Sequence, residues 1–366
     1  MGTLLNRRRY MGGAKATKPY LKFTALEDGT FQFVKALEYS LDGGNTWVSL
    51  AANTPTPTIQ TGDSILWKGQ FSPGNAKNNF TSTGRFSAEG DMRSVVYGDN
   101  WESATPTHYC AYNMFRDCTT IIDARGLILP EFPSTANDLY SRLFMGATSL
   151  MYAPTNLPLP LSAGCFSEMF RGCSSLITIP SFPSVSQIPQ YGYEAMFYGC
   201  SSLTTAPALP ATEIANGAYS QMFRGCSSLV NAPSLPATTI GSGCYQEMFY
   251  NCTSLESSPA ILPAMTLQKD CYRAMFYGCS NLLTTPVLPA ETLAVSCYRA
   301  LFQKCSKVNY IKAMFTSDPA SVNDCLTNWV SQVASSGTFV KNSLSTFDTR
   351  GISGIPNNWT IETADS

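Results

Sequence analysis

The sequence predicts a mainly β protein with short helices, in which an N-terminal antiparallel β-sandwich-like domain precedes a solenoid of repeats and a C-terminal cap. Two observations carry this prediction. A block of the form Met-Phe-x-Gly-Cys-x-x-Leu recurs through the middle of the chain, and short alternating apolar runs precede it. A repeat this short cannot bury its own apolar face, so neighbouring units have to stack. The patterns divide the 366 residues into four expected regions, 1–18, 19–106, 107–312 and 313–366.

The first region, 1–18, is expected to be flexible or dependent on a partner for order. Its basic cluster suits an acidic or carbonyl-lined socket on another protein, because each guanidinium offers several donors. We therefore expect Arg7, Arg8 and Arg9 to dock the chain into a larger assembly.

Residues 19–106 predict short antiparallel strands separated by Asp-Gly, Gly-Gly, Thr-Gly-Asp and Pro-Gly turn signals. The stretches are YLKFTAL, TFQFVKALEYS, TWVSL, SILWKGQF and RSVVYG. Ser40 to Trp47 also match S-x-D-x-G-x-T-W, the Asp-box pattern, which resembles the hairpin repeated on sialidase propeller blades. One copy in a domain too small for a propeller favours a structural hairpin over a sialidase.

Residues 107–312 contain the repeats, and we number each unit from its Phe as position zero. The Phe residues are 26 to 29 residues apart: Phe115, Phe144, Phe170, Phe197, Phe223, Phe249, Phe276 and Phe302. Apolar residues at i, i+4 and i+8, such as Cys244, Met248 and Cys252, predict a short helix. The aromatic residues at −4 are expected in the core or in a half-buried ladder. A short strand is expected around the following Leu, before the first Pro, because Pro removes ladder donors.

The thirteen cysteines recur at two fixed positions of the repeat unit. Seven stand at +3, five at −5, and Cys325 fits −5 of a ninth, degenerate unit. We interpret them as free thiols that pack as small apolar residues. Disulfide rungs between neighbouring units and a metal site are the alternatives, although there is no CxxC and His108 is the only histidine.

Residues 313–366 break the period and predict a cap over the last apolar layer. Its candidate core residues are Trp329, Val333, Phe339, Val340, Ile355 and Trp359.

The segment MFYGCSSLTTAPALPATEI resembles the BspA-like leucine-rich repeat family, in its form with units of about 26 residues. That family's hallmark is [AM]-F-x-x-C-x-x-L followed by a strand. The resemblance implies a leucine-rich-repeat solenoid with structural Phe, Cys and Leu columns and no catalytic residues. The opening NRRRYMGG and the closing WVxxVASSGTFVK and SGIPxxWTI resemble proteins encoded by gut Bacteroidetes and their phages.

The candidate binding surface is the +1 column, because Arg and Tyr are frequent interface anchors. Its candidate ligand-binding residues are Arg116, Arg171, Tyr198, Arg224, Tyr250 and Tyr277. Met145 and Gln303 complete the column. The alternative is that these are ordinary solvated positions beside a glycine.

No catalytic, cofactor-binding or metal-binding residues are predicted, since Walker, HExxH, GxSxG and EF-hand spacings are missing. Paired glycosidase carboxylates are arranged in space and leave no sequence spacing to detect. Charged residues are 13% of the chain and the net charge is −1, so no overall field favours nucleic acid or an anionic membrane. No segment has the length of a secretory signal or a membrane span.

We therefore expect a soluble, non-enzymatic adhesion or recognition protein. The favoured role is a bacteriophage virion component, such as a head fibre, tail fibre or decoration, assembled in the host cytoplasm. Expected partners are other virion proteins, bound through the tail, a host cell-surface glycan or protein, and a second copy of the chain. The alternatives are a bacterial cell-surface leucine-rich-repeat adhesin and a glycan-cleaving, tail-associated enzyme.

Overall fold

The structure is a computed structural model that describes residues 18–70, 80–107, 109, 111–159 and 161–364. The chain is mainly β and has little helix, as the sequence predicts. The predicted docking residues Arg7, Arg8 and Arg9 lie outside the described residues, as do His108 and Cys110. Among the described residues, no helix is long and apolar enough to cross a membrane.

The N-terminal region forms one six-stranded sheet and one two-stranded ribbon. The strands are β1 (Leu21–Ala25), β2 (Phe31–Phe33), β3 (Leu37–Ser40), β4 (Val48–Leu50), β5 (Ser64–Lys68), β6 (Phe80–Ser82), β7 (Phe86–Asp91) and β8 (Ile121–Ile128). The large sheet has the order β4-β3-β5-β1-β7-β8, and β2 pairs with β6. All of these pairs are antiparallel except β7 with β8, where the first repeat joins the sheet in parallel. Phe115 of that repeat packs against Phe23 and Phe80, so the apolar core is continuous across the junction.

One predicted strand in this region is wrong. RSVVYG contains a five-residue helix, α1 (Arg93–Tyr97), which is followed by a 3-10 helix, Gly98–Ser103. The Asp91 carboxylate accepts a hydrogen bond from the Arg93 amide at 2.8 Å, and Gly98 ends the helix with φ 61°. These local signals outweigh the strand preference of the two adjacent valines.

The predicted helix of each repeat is also wrong. Positions −6, −2 and +2 have left-handed backbone in all nine units, and a left-handed residue at every fourth position is incompatible with an α-helix. Amides bond alternately within a unit and to the next unit: Met169 N donates to Phe166 O at 3.2 Å, and Phe170 N donates to Met196 O at 2.9 Å. The segment is therefore a ribbon of consecutive turns, with every other amide bonded to the neighbouring unit.

The strands of the middle repeats are shorter than expected and lie elsewhere. Named strands follow the second Pro of their units: β9 (Gln187–Ile188), β10 (Glu213–Ile214) and β11 (Thr239–Ile240). They form a parallel sheet in the order β11-β10-β9. Near the Leu, where the strand was predicted, the first, eighth and ninth units have strands, at β8, Tyr310–Ala313 and Thr338–Asn342, whereas the units between them have isolated parallel bridges such as Asn231 with Ser257. Proline at +10 interrupts the ladder there.

Two aromatic columns fill the interior of the stacked units. Neighbouring rings of the zero-position Phe column have centroids 5.4 to 5.8 Å apart and are almost parallel. Between Tyr140 and Tyr298, the −4 column stacks in the same way, with centroids 5.6 to 6.0 Å apart. Both columns are buried, which confirms their prediction as core.

The twelve described cysteines are buried and unpaired. From Cys173 to Cys305, each +3 thiol donates to the carbonyl of a Phe in the preceding unit, at 2.9 to 3.2 Å. Burial raises the thiol pKa values, to about 12 for Cys165 and Cys271. The thiols therefore connect adjacent units and are poor nucleophiles.

The C-terminal segment closes the stack with a parallel sheet of β12 (Tyr310–Ala313), β13 (Thr338–Asn342) and β14 (Thr360–Ala364). Between β12 and β13 there is a short 3-10 helix, Pro319–Ser321, and the ninth unit. Trp329 and Trp359 are buried, and their indole N–H groups donate to the carbonyls of Gly354 and Ala334. The predicted capping residues thus lie in or against the core.

Candidate functional site

The +1 side chains lie on the outer side of the turn ribbon and are partly exposed. The ribbon sends positions −5, −4, −1, zero and +3 into the core, as the burial of Cys244, Tyr245, Met248, Phe249 and Cys252 illustrates. Because each unit bonds to the next through its backbone, equivalent +1 side chains stand side by side. Their separation is set by the stacking of the units.

Five of these +1 residues, together with Lys304 at +2, form a continuous line, which we call the outer ladder: Arg171, Tyr198, Arg224, Tyr250, Tyr277 and Lys304.

Cations and rings alternate along the first part of the outer ladder. The Arg171 guanidinium lies 4.5 Å from the Tyr198 ring centroid. Arg224 stands between two rings, 5.5 Å from Tyr198 and 4.1 Å from Tyr250. Tyr250 stacks on Tyr277 with centroids 4.3 Å apart, and the Lys304 ammonium lies 5.1 Å from the Tyr277 ring. Each such cation–π contact stabilises the array by about 0.5–1 kcal/mol at an exposed site.

Carboxylates beside the ladder hold its two arginines. Arg171 pairs with Glu168 at 3.4 Å, and Arg224 pairs with Glu247. The Gln221 side chain donates to the same Glu247 carboxylate at 3.2 Å. Ring contacts and ion pairs together fix the orientation of each guanidinium before any ligand arrives.

The tyrosine hydroxyls at the far end of the ladder are electrostatically coupled to Lys304. A hydrogen bond with Lys304, and a weaker contribution from Tyr250, lower the pKa of Tyr277. Partial burial, followed by the neighbouring Tyr277, raises the pKa of Tyr250. Tyr277 is therefore the more acidic of these two phenols.

The ladder contains five of the six predicted ligand-binding residues. The sixth, Arg116, is separated from it by the unit that carries Met145, and its Nε lies 3.3 Å from the Asp117 carboxylate. Lys304 was missed because it stands at +2. The available signal was that Lys replaces a residue that is glycine in five other units, Gly146, Gly172, Gly199, Gly225 and Gly278.

The outer ladder is suited to binding an extended ligand. Neighbouring cations and rings cover the ring faces, so ring edges, phenol hydroxyls and cationic N–H groups remain to make contacts. Five unit spacings of about 4.8 Å give it a length of roughly 24 Å. A chain rich in hydroxyl and carboxylate groups would find donors at each unit, with Glu168 and Glu247 as acceptors beside them.

The Asp-box segment forms the predicted structural hairpin. Asp42 accepts hydrogen bonds from the amides of Asn45 and Thr46 and from the hydroxyls of Ser40 and Thr46, at 2.7 to 3.0 Å. These bonds, led by those from Thr46, lower the Asp42 pKa to about 2. The carboxylate is thus used to hold the turn. Within the described ranges no cluster of His, Cys, Asp and Glu has the arrangement of a metal site.

Comparison of the chain with protein-family models, with curated proteins and with solved structures found no match in any of the three.

Proposed function

We propose that this chain is a non-enzymatic recognition protein whose outer ladder binds an extended, hydroxyl- and carboxylate-rich ligand on a cell surface. The observation that carries the proposal is the preorganised line of cations and rings from Arg171 to Lys304. Binding to side chains already held in place costs less conformational entropy than ordering them at the moment of contact.

The proposal includes a view of the architecture. The stacked units with their parallel bridges and continuous aromatic columns support a solenoid, and the sheets around Phe23 support a sandwich-like N-terminal domain. The [AM]-F-x-x-C-x-x-L wording supports kinship with BspA-like leucine-rich repeats. Extended binding faces are the usual functional surfaces of such stacks.

We place the chain in a bacteriophage virion, as a fibre or decoration that contacts the host surface. Support comes from the resemblance of its two ends to phage-encoded proteins and from the basic cluster Arg7, Arg8 and Arg9. Docking through these arginines would leave the repeats free to face outward.

Purified particles provide the test. Antibodies against the repeat region should detect the chain in virions banded on a density gradient, and deletion of residues 1–17 should abolish incorporation while the protein still folds. This deletion spares Lys18, whose ammonium lies 2.8 Å from the Glu102 carboxylate. Normal incorporation of the shortened chain would refute the docking role.

The same material separates the alternatives. Detection only on the bacterial envelope would favour a cell-surface adhesin. Shortening of host polysaccharide by the pure protein would favour a glycan-cleaving enzyme.

A further inference from the structure

Tyr250 and Tyr277 of the outer ladder form a parallel pair of phenol rings. Their ring centroids are 4.3 Å apart and their planes differ by 6°. Neighbouring tyrosines of the −4 column are 5.6 to 6.0 Å apart, a separation set by the stacking of the units. The Tyr250 and Tyr277 side chains therefore lean toward each other until the rings are in contact.

A cation lies against the outer face of each ring. Arg224 of the preceding unit lies 4.1 Å from the Tyr250 centroid, and Lys304 of the following unit lies 5.1 Å from the Tyr277 centroid. The Arg224 guanidinium is itself held by its ion pair with Glu247. These contacts cover the outer faces and leave the inner faces of the two rings directed at each other.

The pair is open to solvent, unlike the tyrosines of the −4 column. Tyr250 and Tyr277 are half-buried, whereas Tyr245 and Tyr298 are almost completely buried. The hydrogen bond with Lys304 lowers the pKa of Tyr277, while partial burial raises the pKa of Tyr250. Tyr277 is therefore the phenol of the pair that gives up its proton more readily.

We propose that Tyr250 and Tyr277 are a site of oxidative modification, at which the two rings are joined as a dityrosine crosslink. The oxidant required is hydrogen peroxide acting through a haem peroxidase. The peroxidase removes one electron and one proton from each phenol, and the peroxide that accepts them becomes two molecules of water.

Coupling of the two phenoxyl radicals completes the reaction. A carbon–carbon bond forms between one ortho carbon of each ring, and the hydrogen on each of these carbons then moves through solvent to the oxygen of its own ring. Both phenols are restored, and the net loss is two hydrogen atoms. Because the rings are already in contact, each radical forms beside its coupling partner.

The crosslink would join the sixth and seventh units covalently. Such a bond stabilises a folded chain mainly by restricting the unfolded one, as a disulfide does. The thiols of the same two units compete poorly for the oxidant, because Cys252 and Cys279 are fully buried and burial raises their pKa. The proposal holds whether or not the outer ladder binds its own ligand.

Treatment of the purified full chain with a haem peroxidase and hydrogen peroxide tests the proposal. Dityrosine fluorescence measures the yield, and mass spectrometry of a tryptic digest locates the bond. Trypsin cuts between the two residues, at Lys269 and Arg273, so the crosslink joins two peptides whose combined mass is lower by two hydrogen atoms. We expect this product to carry most of the dityrosine, in a chain that still migrates as a monomer on a denaturing gel. A monomer without dityrosine, or crosslinks mainly between other tyrosines or between two chains, would overturn the proposal.

Three variants assign the bond, because the same two peptides also contain Tyr245 and Tyr298. Tyr250→Phe and Tyr277→Phe keep the ring and remove only the hydroxyl, so both should fold, and each should lose nearly all dityrosine from the monomer. The control is Tyr310→Phe, which should leave the yield unchanged because Tyr310 is 45% exposed but lies outside the outer ladder. Dityrosine retained by the folded Tyr250→Phe and Tyr277→Phe proteins, or an equal loss in Tyr310→Phe, would refute the assignment.

Discussion

Replacing Phe249 by alanine should lower the free energy of unfolding by about 3–5 kcal/mol, the usual cost of truncating a large aromatic residue in a core. Phe249 is fully buried, and its ring stacks on Phe223 and Phe276 at 5.6 Å each. Lost burial accounts for about 1.5–3 kcal/mol, and the two ring contacts for about 0.5–1.5 kcal/mol each. These contributions bracket the expected loss.

Urea unfolding followed by tryptophan fluorescence and by circular dichroism measures this loss. Buried tryptophans lie near both ends of the chain, at Trp67 and Trp329, so coincident transitions would show that the stack unfolds as one unit. The control is Leu283→Ala, because Leu283 is 55% exposed and its truncation should change stability by about 0.5 kcal/mol or less. A loss below about 1 kcal/mol for Phe249→Ala would refute the stacked-column interpretation.

Three further predictions concern the backbone, the thiols and pH. Gly199→Ala should lower the free energy of unfolding by about 1–2 kcal/mol through backbone strain, because φ is 73° at this position. A steric clash does not contribute, since no atom beyond the adjacent residues lies closer than 3.8 Å to the added Cβ. In the same urea assay Ala195→Gly, at φ 48°, should lower the free energy of unfolding by less. A thiol reagent should detect close to thirteen free thiols in the denatured chain. It should react much more slowly with the native chain, because burial raises the thiol pKa values. Mostly oxidised thiols in samples protected from air oxidation would support the disulfide alternative. Burial also raises the pKa of Tyr245 and Tyr298. Their contribution to stability should therefore be complete below the ordinary tyrosine pKa of about 10 and should fall as the pH rises above it. A circular dichroism spectrum that is unchanged far above that pH would contradict this prediction.

The sequence predicted which residues face the core but not the backbone that places them there. Cys244, Met248 and Cys252 have the i, i+4, i+8 spacing of a helix, and a turn ribbon with a four-residue period puts the same positions on one face. The glycines recurring at +2, such as Gly172 and Gly199, were the signal that separates the two, because they supply the left-handed backbone.

The outer ladder was largely predictable from the sequence. Five ladder residues could be found because they share one phase, whereas Lys304 lies one position away from it.

The most direct test of the proposed function is binding of the purified, fluorescently labelled full-length chain to intact host cells, compared with a variant in which Arg171, Tyr198, Arg224 and Tyr250 are replaced by serine. Truncation of a true Tyr or Arg anchor costs on the order of 2 kcal/mol or more in binding, so the variant should lose nearly all attachment while remaining folded by circular dichroism. Attachment equal to that of the unchanged chain would contradict the assignment of the outer ladder as the recognition surface.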